Sequence, residues 1–273
     1  IDQSMSTYLP ASLINQLNQG DTIVPDAMFE EVFALSEKLN EATGGAFDPT
    51  IGPLIKAWGF DFSQPVQMDS AKVDSMLGIC GFDNFQRLEN TLWIRAKGAR
   101  INFNAVAQGY SVDLMASILE EKKIENFYVE LGGELVVKGN NKSGGPWLIG
   151  IDSPKGQNLE RELAAIFQLK DAGMATSGNY RKYYEIDGKR YSHTLNPATG
   201  YPAKNNLLSA TVVAETAAEA DALATAFMVM GLEKSKTFLS SNEGVEAHLI
   251  FYSENGGYES FTTEGLQKAK KPV

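Results

Sequence analysis

The chain has 273 residues, of which 43% are apolar and 25 are glycine, as in an ordinary globular protein with many turns. Its 24 lysine and arginine residues against 34 aspartate and glutamate residues give a formal net charge of −10, which argues against nonspecific binding to nucleic acids or anionic lipid surfaces. No apolar run approaches the roughly 20 residues that span a bilayer, and the single cysteine, Cys80, excludes an intrachain disulfide and a four-cysteine zinc site.

The first half of the chain alternates helical and extended patterns. Phe29, Val32, Phe33 and Leu39 follow a helical period, and Gly44-Gly45 ends that segment. The predicted elements of this half are helices over residues 25–39, 54–58, 70–78 and 104–122, a hairpin over 87–95 and a strand over 127–131 that ends at Gly132-Gly133.

Beyond Trp147 the pattern is rich in strands. The predicted strands cover residues 147–151, 163–169, 207–214, 247–252 and 258–262, with a hairpin over 183–193 around Asp187-Gly188. Thr216 and Glu219 have the spacing of a capping box, which predicts that a helix begins there, and a further helix covers 232–240. We therefore predict an α+β fold, with mixed and antiparallel sheets and flanking helices in a single intertwined domain over residues 1–273.

Asp221 and Thr225 lie four residues apart on the helix that follows Thr216, so their oxygens can point to one spot. Mg²⁺ is often held by one or two such protein oxygens, with water or substrate phosphate completing its shell. The spacing thus predicts a site for phosphate chemistry. The alternative is that Asp221 only complements the helix dipole and that Thr225 has no special role.

His193 stands in the segment Ser192-His193-Thr194-Leu195, just before an Asn-Pro turn, where a strand end can display a catalytic group. A histidine can accept a proton from a hydroxyl nucleophile near neutral pH. A structural histidine that locks the turn is the alternative.

Residues 174–181 are predicted to form a loop of small residues between two strands. Backbone amides together with Thr176, Ser177 and Arg181 could contact phosphate there, although a plain polar turn with a solvated arginine explains the same residues. The Gly132-Gly133 pair could let a ligand approach the backbone, but it lacks the glycine spacing of a dinucleotide-binding fold.

Taken together and in this order, the motifs resemble the ApbE family of flavin transferases over essentially the whole chain. They are STY at 6–8, GAFDPTIGPL at 45–54, WGF at 58–60, AQGYSVD at 107–113, GGE at 132–134, ATSGNYR at 175–181, SHTLNPATG at 192–200 and ADALATA at 220–226. The resemblance implies an ApbE-like architecture related to the T-fold.

The resemblance also implies a role for individual residues. Asp221 and Thr225 would be metal ligands, the backbone at Ser111 would supply a third, and His193 would be the catalytic base. The implied cofactor-binding residues are Tyr8, Ala46, Phe47, Asp48, Gln108, Asp113, Thr176, Ser177 and Leu195. Gln108 stands where Lys or Glu is usual in the family, Ser111 where Ala is usual, and Asn196 where Asp is common; the family's first strand has no counterpart before Ile1.

The activity implied by the resemblance is Mg²⁺-dependent cleavage of FAD, with Mn²⁺ as a possible substitute, and transfer of the FMN half to a threonine hydroxyl with release of AMP. The implied partner is a redox protein with a Ser/Asp-Gly-Ala-Thr type acceptor motif. The implied location is the bacterial periplasm, as a lipoprotein anchored to the inner membrane. Two alternatives stay open: a metal-dependent FAD pyrophosphatase that uses water in place of threonine, and a non-catalytic FAD-binding protein.

Overall fold

The computed structural model describes residues 1–60, 64, 66–154, 162–179, 183–186, 189–192 and 194–273. They form two compact units: unit 1 comprises Ile1–Ala107 and Ile186–Ala203, and unit 2 comprises Gln108–Glu185 and Lys204–Val273. The single-domain interpretation stays a prediction, because two compact units can belong to one cooperative domain. Within the described residues, no helix is both long and apolar enough to cross a membrane.

Unit 1 is mainly helical up to residue 94. Its elements there are α1 (Asp2–Met5), α2 (Leu13–Gln19), α3 (Ala27–Ala42), α4 (Gly52–Trp58), α5 (Ser70–Leu77), β1 (Phe85–Leu88) and β2 (Thr91–Ile94). Side chains of Ser12, Asp26 and Asp69 accept hydrogen bonds from first-turn amides of α2, α3 and α5, which fixes where these helices begin. The apolar face of α3 is buried, and the Phe29 ring contacts that of Phe103 edge to face at 5.2 Å.

Unit 2 contains most of the strands. Its first part holds α6 (Ala107–Glu121), β3 (Phe127–Leu131), β4 (Glu134–Lys138), β5 (Trp147–Asp152), β6 (Leu163–Leu169) and β7 (Ala172–Gly178). The strands β8 (Tyr183–Ile186) and β9 (Lys189–Ser192) follow where the chain passes out of this unit. Its second part holds β10 (Leu207–Ala214), α7 (Ala217–Met230), α8 (Leu232–Ser241), β11 (Glu246–Tyr252), β12 (Tyr258–Thr262), α9 (Glu264–Lys268) and β13 (Lys270–Lys271).

The described strands of unit 2 form a six-stranded antiparallel sheet, ordered β12-β11-β10-β7-β4-β3, and a three-stranded antiparallel sheet, ordered β13-β6-β5. Leu135, Met174 and Val213 of the larger sheet share a buried apolar cluster with Ile149 and Phe167 of the smaller one. Helix α7 packs on β7 and β10. Gly173 faces α7 whereas its neighbour Met174 faces the apolar cluster, so the helix and the smaller sheet cover opposite faces of the larger sheet.

Two glycines allow α7 to approach its neighbours closely. A Cβ atom at Gly173 of β7 would collide with the backbone of Thr216 and Ala217, and one at Gly109 of α6 would collide with the backbone of Ala217 and Ala218. The first turn of α7 is therefore wedged between β7 and α6 at backbone contact distance.

Most predicted elements are present with similar bounds, but residues 174–178, the first part of the predicted loop over 174–181, belong to a strand. Residues 172–178 are β7, paired with both β10 and β4. Its alanine and glycine residues are poor strand formers, and at Gly173 any larger residue would collide with the start of α7. Helices α1, α2 and α9 and strands β4 and β13 were not predicted. The turn at Asp187-Gly188 lies outside the described residues.

Candidate active site

The start of α7 is fixed by three side-chain contacts. Thr216 accepts a hydrogen bond from the Glu219 amide, as the capping box predicts. Asp113 of α6 accepts from the amides of Ala217 and Ala218, both at 2.8 Å. These three amides point out of the helix N-terminus and have no partner within the helix. Asp113 thus holds α7 in place, and its predicted contact with a cofactor stays a prediction.

Asp221 lies one turn further along α7 and is 6% exposed. Its Oδ2 accepts a hydrogen bond of 3.2 Å from the backbone amide of Gly109, at the N-terminal turn of α6. Burial raises the pKa of Asp221 to about 7; the Glu134 carboxylate is the second cause and Asp113 a smaller one, against the hydrogen bond from Gly109. The ionised carboxylate is therefore unfavourably placed unless a positive charge joins it.

Thr225 lies on the same face of α7 as Asp221, one turn later, and is half-buried. Its Oγ1 lies 3.2 Å from the Ser177 Oγ of β7. Thr176 does not join them: it pairs with Thr211 across the sheet, Oγ1 to Oγ1 at 2.9 Å. Because adjacent strand residues point to opposite faces, Ser177 is the one of these two predicted hydroxyl donors that lies beside Thr225.

The donor set fits a hard divalent cation. It consists of the buried carboxylate of Asp221 and the hydroxyl groups of Thr225 and Ser177. Ser111, the predicted backbone ligand, lies on α6 two residues after Gly109. The part of the chain that the structure describes has no group of three His, Cys, Asp or Glu residues that could hold a metal. A site built from mixed oxygen donors suits Mg²⁺, which keeps several waters and binds few carboxylates.

A second carboxylate lies close to Asp221. Glu134, the first residue of β4, is 8% exposed, and its Oε2 accepts a hydrogen bond from the side-chain amide of Gln108. The same amide donates to the Leu131 carbonyl at 2.9 Å. Burial raises the pKa of Glu134, and the hydrogen bonds from its own amide and from Gln108 oppose that rise. The sequence marked Glu134 only as part of a glycine-rich turn, since its contact with Gln108 spans 26 residues.

Unit 1 holds the other predicted flavin contacts. Tyr8 is 66% exposed and lines a small cavity of about 80 Å³ with Asn18, Arg100 and Asn102. Phe47 is 2% exposed and Leu195 is 4% exposed, so both side chains lie in the core. Their predicted roles stay predictions.

The backbone around Phe47 is hydrogen-bonded. Its amide donates to Thr43 Oγ1 at 3.1 Å, and its carbonyl accepts from Asn40 at 2.7 Å. Asp48 accepts from the Thr50 amide and hydroxyl at 2.8 and 2.6 Å, which is the Asx turn expected from the sequence. Burial raises the pKa of Asp48 against those hydrogen bonds. Ala46 is half-buried in the same turn.

His193 and Arg181 lie outside the described residues. The assignment of His193 as the base and of Arg181 as a phosphate contact therefore stays a prediction.

Comparison with known proteins gives a consistent result. The model of the ApbE family matches residues 1–249. The chain is 36% identical over 258 residues to the FAD:protein FMN transferase of Escherichia coli strain K12, covering 91% of this chain and 73% of that protein. It is 34% identical over 281 residues to the protein of the same name from Haemophilus influenzae, covering 99% and 80%.

Solved structures agree with the sequence matches. The flavin transferase ApbE from Vibrio cholerae superposes with a TM-score of 0.86 at 31% identity, over 98% of this chain and 86% of that one. The apo form of the flavinyl transferase ApbE from Pseudomonas stutzeri gives a TM-score of 0.86 at 31% identity, over 98% and 84%. The α+β fold expected from the sequence is confirmed.

Proposed function

Because the chain belongs to the ApbE family and is a flavin transferase, we propose that it uses Mg²⁺ to transfer the FMN half of FAD to a threonine hydroxyl of a target protein. The threonine oxygen forms a bond to the phosphorus on the FMN side. The bond from that phosphorus to the bridging oxygen breaks, and AMP leaves with the electron pair. The observation that supports this most is the buried Asp221 beside the Thr225 and Ser177 hydroxyls.

In this proposal the residues of unit 2 bind the metal and the pyrophosphate. Asp221, Thr225 and the Ser111 carbonyl would hold Mg²⁺, which supplies positive charge to the phosphate oxygens when bound. The Gly109 amide orients Asp221, and Asp113 fixes the first turn of α7. The Ser177 hydroxyl, which lies 3.2 Å from Thr225 Oγ1, would donate to a phosphate oxygen or orient Thr225.

The acceptor threonine must lose its proton during the transfer. We assign this proton to His193, on the resemblance of the SHTLNPATG segment to the family motif. A general base contributes about 10² to 10⁴ to the rate. His193→Ala is therefore expected to slow transfer by that range while FAD still binds.

The test is to incubate the protein with FAD, Mg²⁺ and a target that carries an acceptor threonine. Transfer gives a target with covalent flavin fluorescence on a denaturing gel and one AMP per flavin. Asp221→Asn is expected to abolish both signals, whereas Glu215→Gln, an exposed carboxylate two residues before α7, is the matched control and should keep them.

Each other outcome of this assay contradicts the proposal in a different way. Free FMN and AMP without labelled target would identify a pyrophosphatase. Unchanged FAD after long incubation would identify a binding protein. Full transfer by Asp221→Asn at limiting Mg²⁺ would refute the metal assignment.

A further inference from the structure

The proposed mechanism does not use Glu134, although this carboxylate is buried next to the site. We propose that Glu134 is a positioning residue for the divalent cation: held by Gln108, it provides a second negative charge outside the direct ligands. It orients the water molecules that the ion retains. This inference rests on the proposed function, because it presumes a cation at Asp221 and Thr225.

Neighbouring residues of one helix turn hold the two carboxylates. The side chain of Gln108 donates to Glu134, and the backbone amide of Gly109 donates to Asp221. Glu134 and Asp221 are therefore brought to the same end of α6, although they lie on different elements, β4 and α7.

The described donors to these carboxylates are neutral. Glu134 accepts from an amide side chain and its own backbone amide, Asp221 from a backbone amide, and Asp113 from two backbone amides. Among the ion pairs of the described residues, none includes these three side chains. Buried anions are unfavourable without a positive partner, so a divalent cation would relieve repulsion that the protein alone leaves in place.

The turn between β3 and β4 is shaped to bring Gln108 and Glu134 together. Gly132 has φ +68°, a conformation that favours glycine. A Cβ atom at Gly132 would collide with the side-chain amide nitrogen of Gln108. The glycine therefore leaves the space in which Gln108 reaches both the Leu131 carbonyl and Glu134.

The chemistry of Mg²⁺ explains what a second carboxylate would do. The ion gives up its waters reluctantly, so much of its shell remains water in a protein site. A nearby carboxylate accepts hydrogen bonds from those waters and adds attraction over the distance of one water layer. Loss of such an outer partner typically weakens metal binding by about 10- to 100-fold.

The test measures metal affinity directly, without FAD. Mn²⁺ replaces Mg²⁺ as the probe because its free ion is followed by electron paramagnetic resonance. Glu134→Gln keeps the size and the capacity to bond Gln108, and it is expected to weaken Mn²⁺ binding by about 10- to 100-fold. Glu130→Gln is the control: Glu130 lies on the same hairpin but is exposed, and the affinity should change by less than about 3-fold.

Two further measurements separate the possible failures. If Glu134 served only the fold, Glu134→Gln would melt at a lower temperature without metal and bind Mn²⁺ as tightly as the wild type, which would overturn the inference. If Asp221→Asn lost Mn²⁺ binding while Glu134→Gln kept it, only this inference would fail. If the wild type bound no Mn²⁺, or if Asp221→Asn bound it normally, the proposed metal site would fail as well.

Discussion

The ionised side chain of Asp221 lowers the stability of the metal-free protein. Its burial beside Glu134 and Asp113 raises its pKa to about 7, so the ionised form is destabilising when no cation is present. The sequence predicts that Asp221 and Thr225 share one face of α7, because a spacing of four residues on a capped helix is local. It could not show the pairing of Gln108 with Glu134, which depends on how β3 and β4 turn back towards α6.

We predict that Asp221→Asn stabilises the metal-free protein while it removes activity. The change deletes a buried negative charge and keeps an oxygen for the Gly109 amide, so the free energy of unfolding should rise by about 1 to 3 kcal/mol. Urea unfolding in the presence of a chelator measures it. Glu215→Gln should change the value by less than about 0.5 kcal/mol, and a less stable Asp221→Asn would contradict the prediction.

We predict that Gly132→Ala perturbs the Gln108 side chain in addition to straining the turn. A left-handed conformation costs an alanine about 1 to 2 kcal/mol, and the collision with Gln108 adds to it. Gly44→Ala is the matched control, with φ +59° and nothing within 4 Å of its added Cβ. Equal losses in the free energy of unfolding for the two variants would show that Gln108 moves aside freely.

At the scale of elements, α7 and β7 show what local sequence can predict. The helix α7 was predicted because its signals are local: Thr216 and Glu219 at its start and alanine-rich turns after them. The strand β7 was taken for a loop because its residues are small. At Gly173 the reason for a small residue is distant in sequence, namely the close approach of the Ala217 backbone. A local sequence pattern does not predict a contact between residues that are far apart in the chain.

We predict that Gly173→Ala is strongly destabilising. The new methyl group would overlap the backbone of Thr216 and Ala217, which cannot rotate away as a flexible side chain can. A loss of about 2 kcal/mol or more in the free energy of unfolding is expected. Gly145→Ala, where a Cβ would meet nothing within 4 Å, is the control and should cost less than about 1 kcal/mol. Similar values for the two would mean that α7 can shift away from β7.

At the scale of the whole molecule, His248 of β11 is a buried group that can gain a proton at low pH. Its ring contacts Phe167, its Nδ1 lies 2.8 Å from Thr262 Oγ1, and its Nε2 is buried without a partner among the described residues. Burial lowers the pKa of His248 to about 4, with the charge of Lys270 as a smaller cause. The folded protein therefore binds this proton less readily than the unfolded chain.

We predict that the free energy of unfolding decreases as the pH falls, because His248 is harder to protonate in the folded protein than in the unfolded chain. The unfolded chain takes up the proton near pH 6.5 and the folded protein only near pH 4, so the stabilising effect present above pH 6.5 is lost between these values. The loss should reach roughly 2 kcal/mol. Unfolding by urea at pH 7.5 and at pH 4.5 measures it, with His248→Asn as the comparison, because acidic groups such as Asp48 and Glu134 shift the other way.

If wild type and His248→Asn lose the same amount of stability between the two pH values, His248 is not the group responsible.

The hydrogen bonds between α6 and α7 should also slow local opening of these two helices. The amides of Gly109, Ala217 and Ala218 all bond carboxylates across the contact between α6 and α7. Amides in the first turn of a helix usually exchange with solvent quickly, since they have no partner inside the helix. These three should instead exchange slowly and together, because none can open unless the two helices separate. The end of unit 2 that we propose to bind the cation should therefore open as one piece.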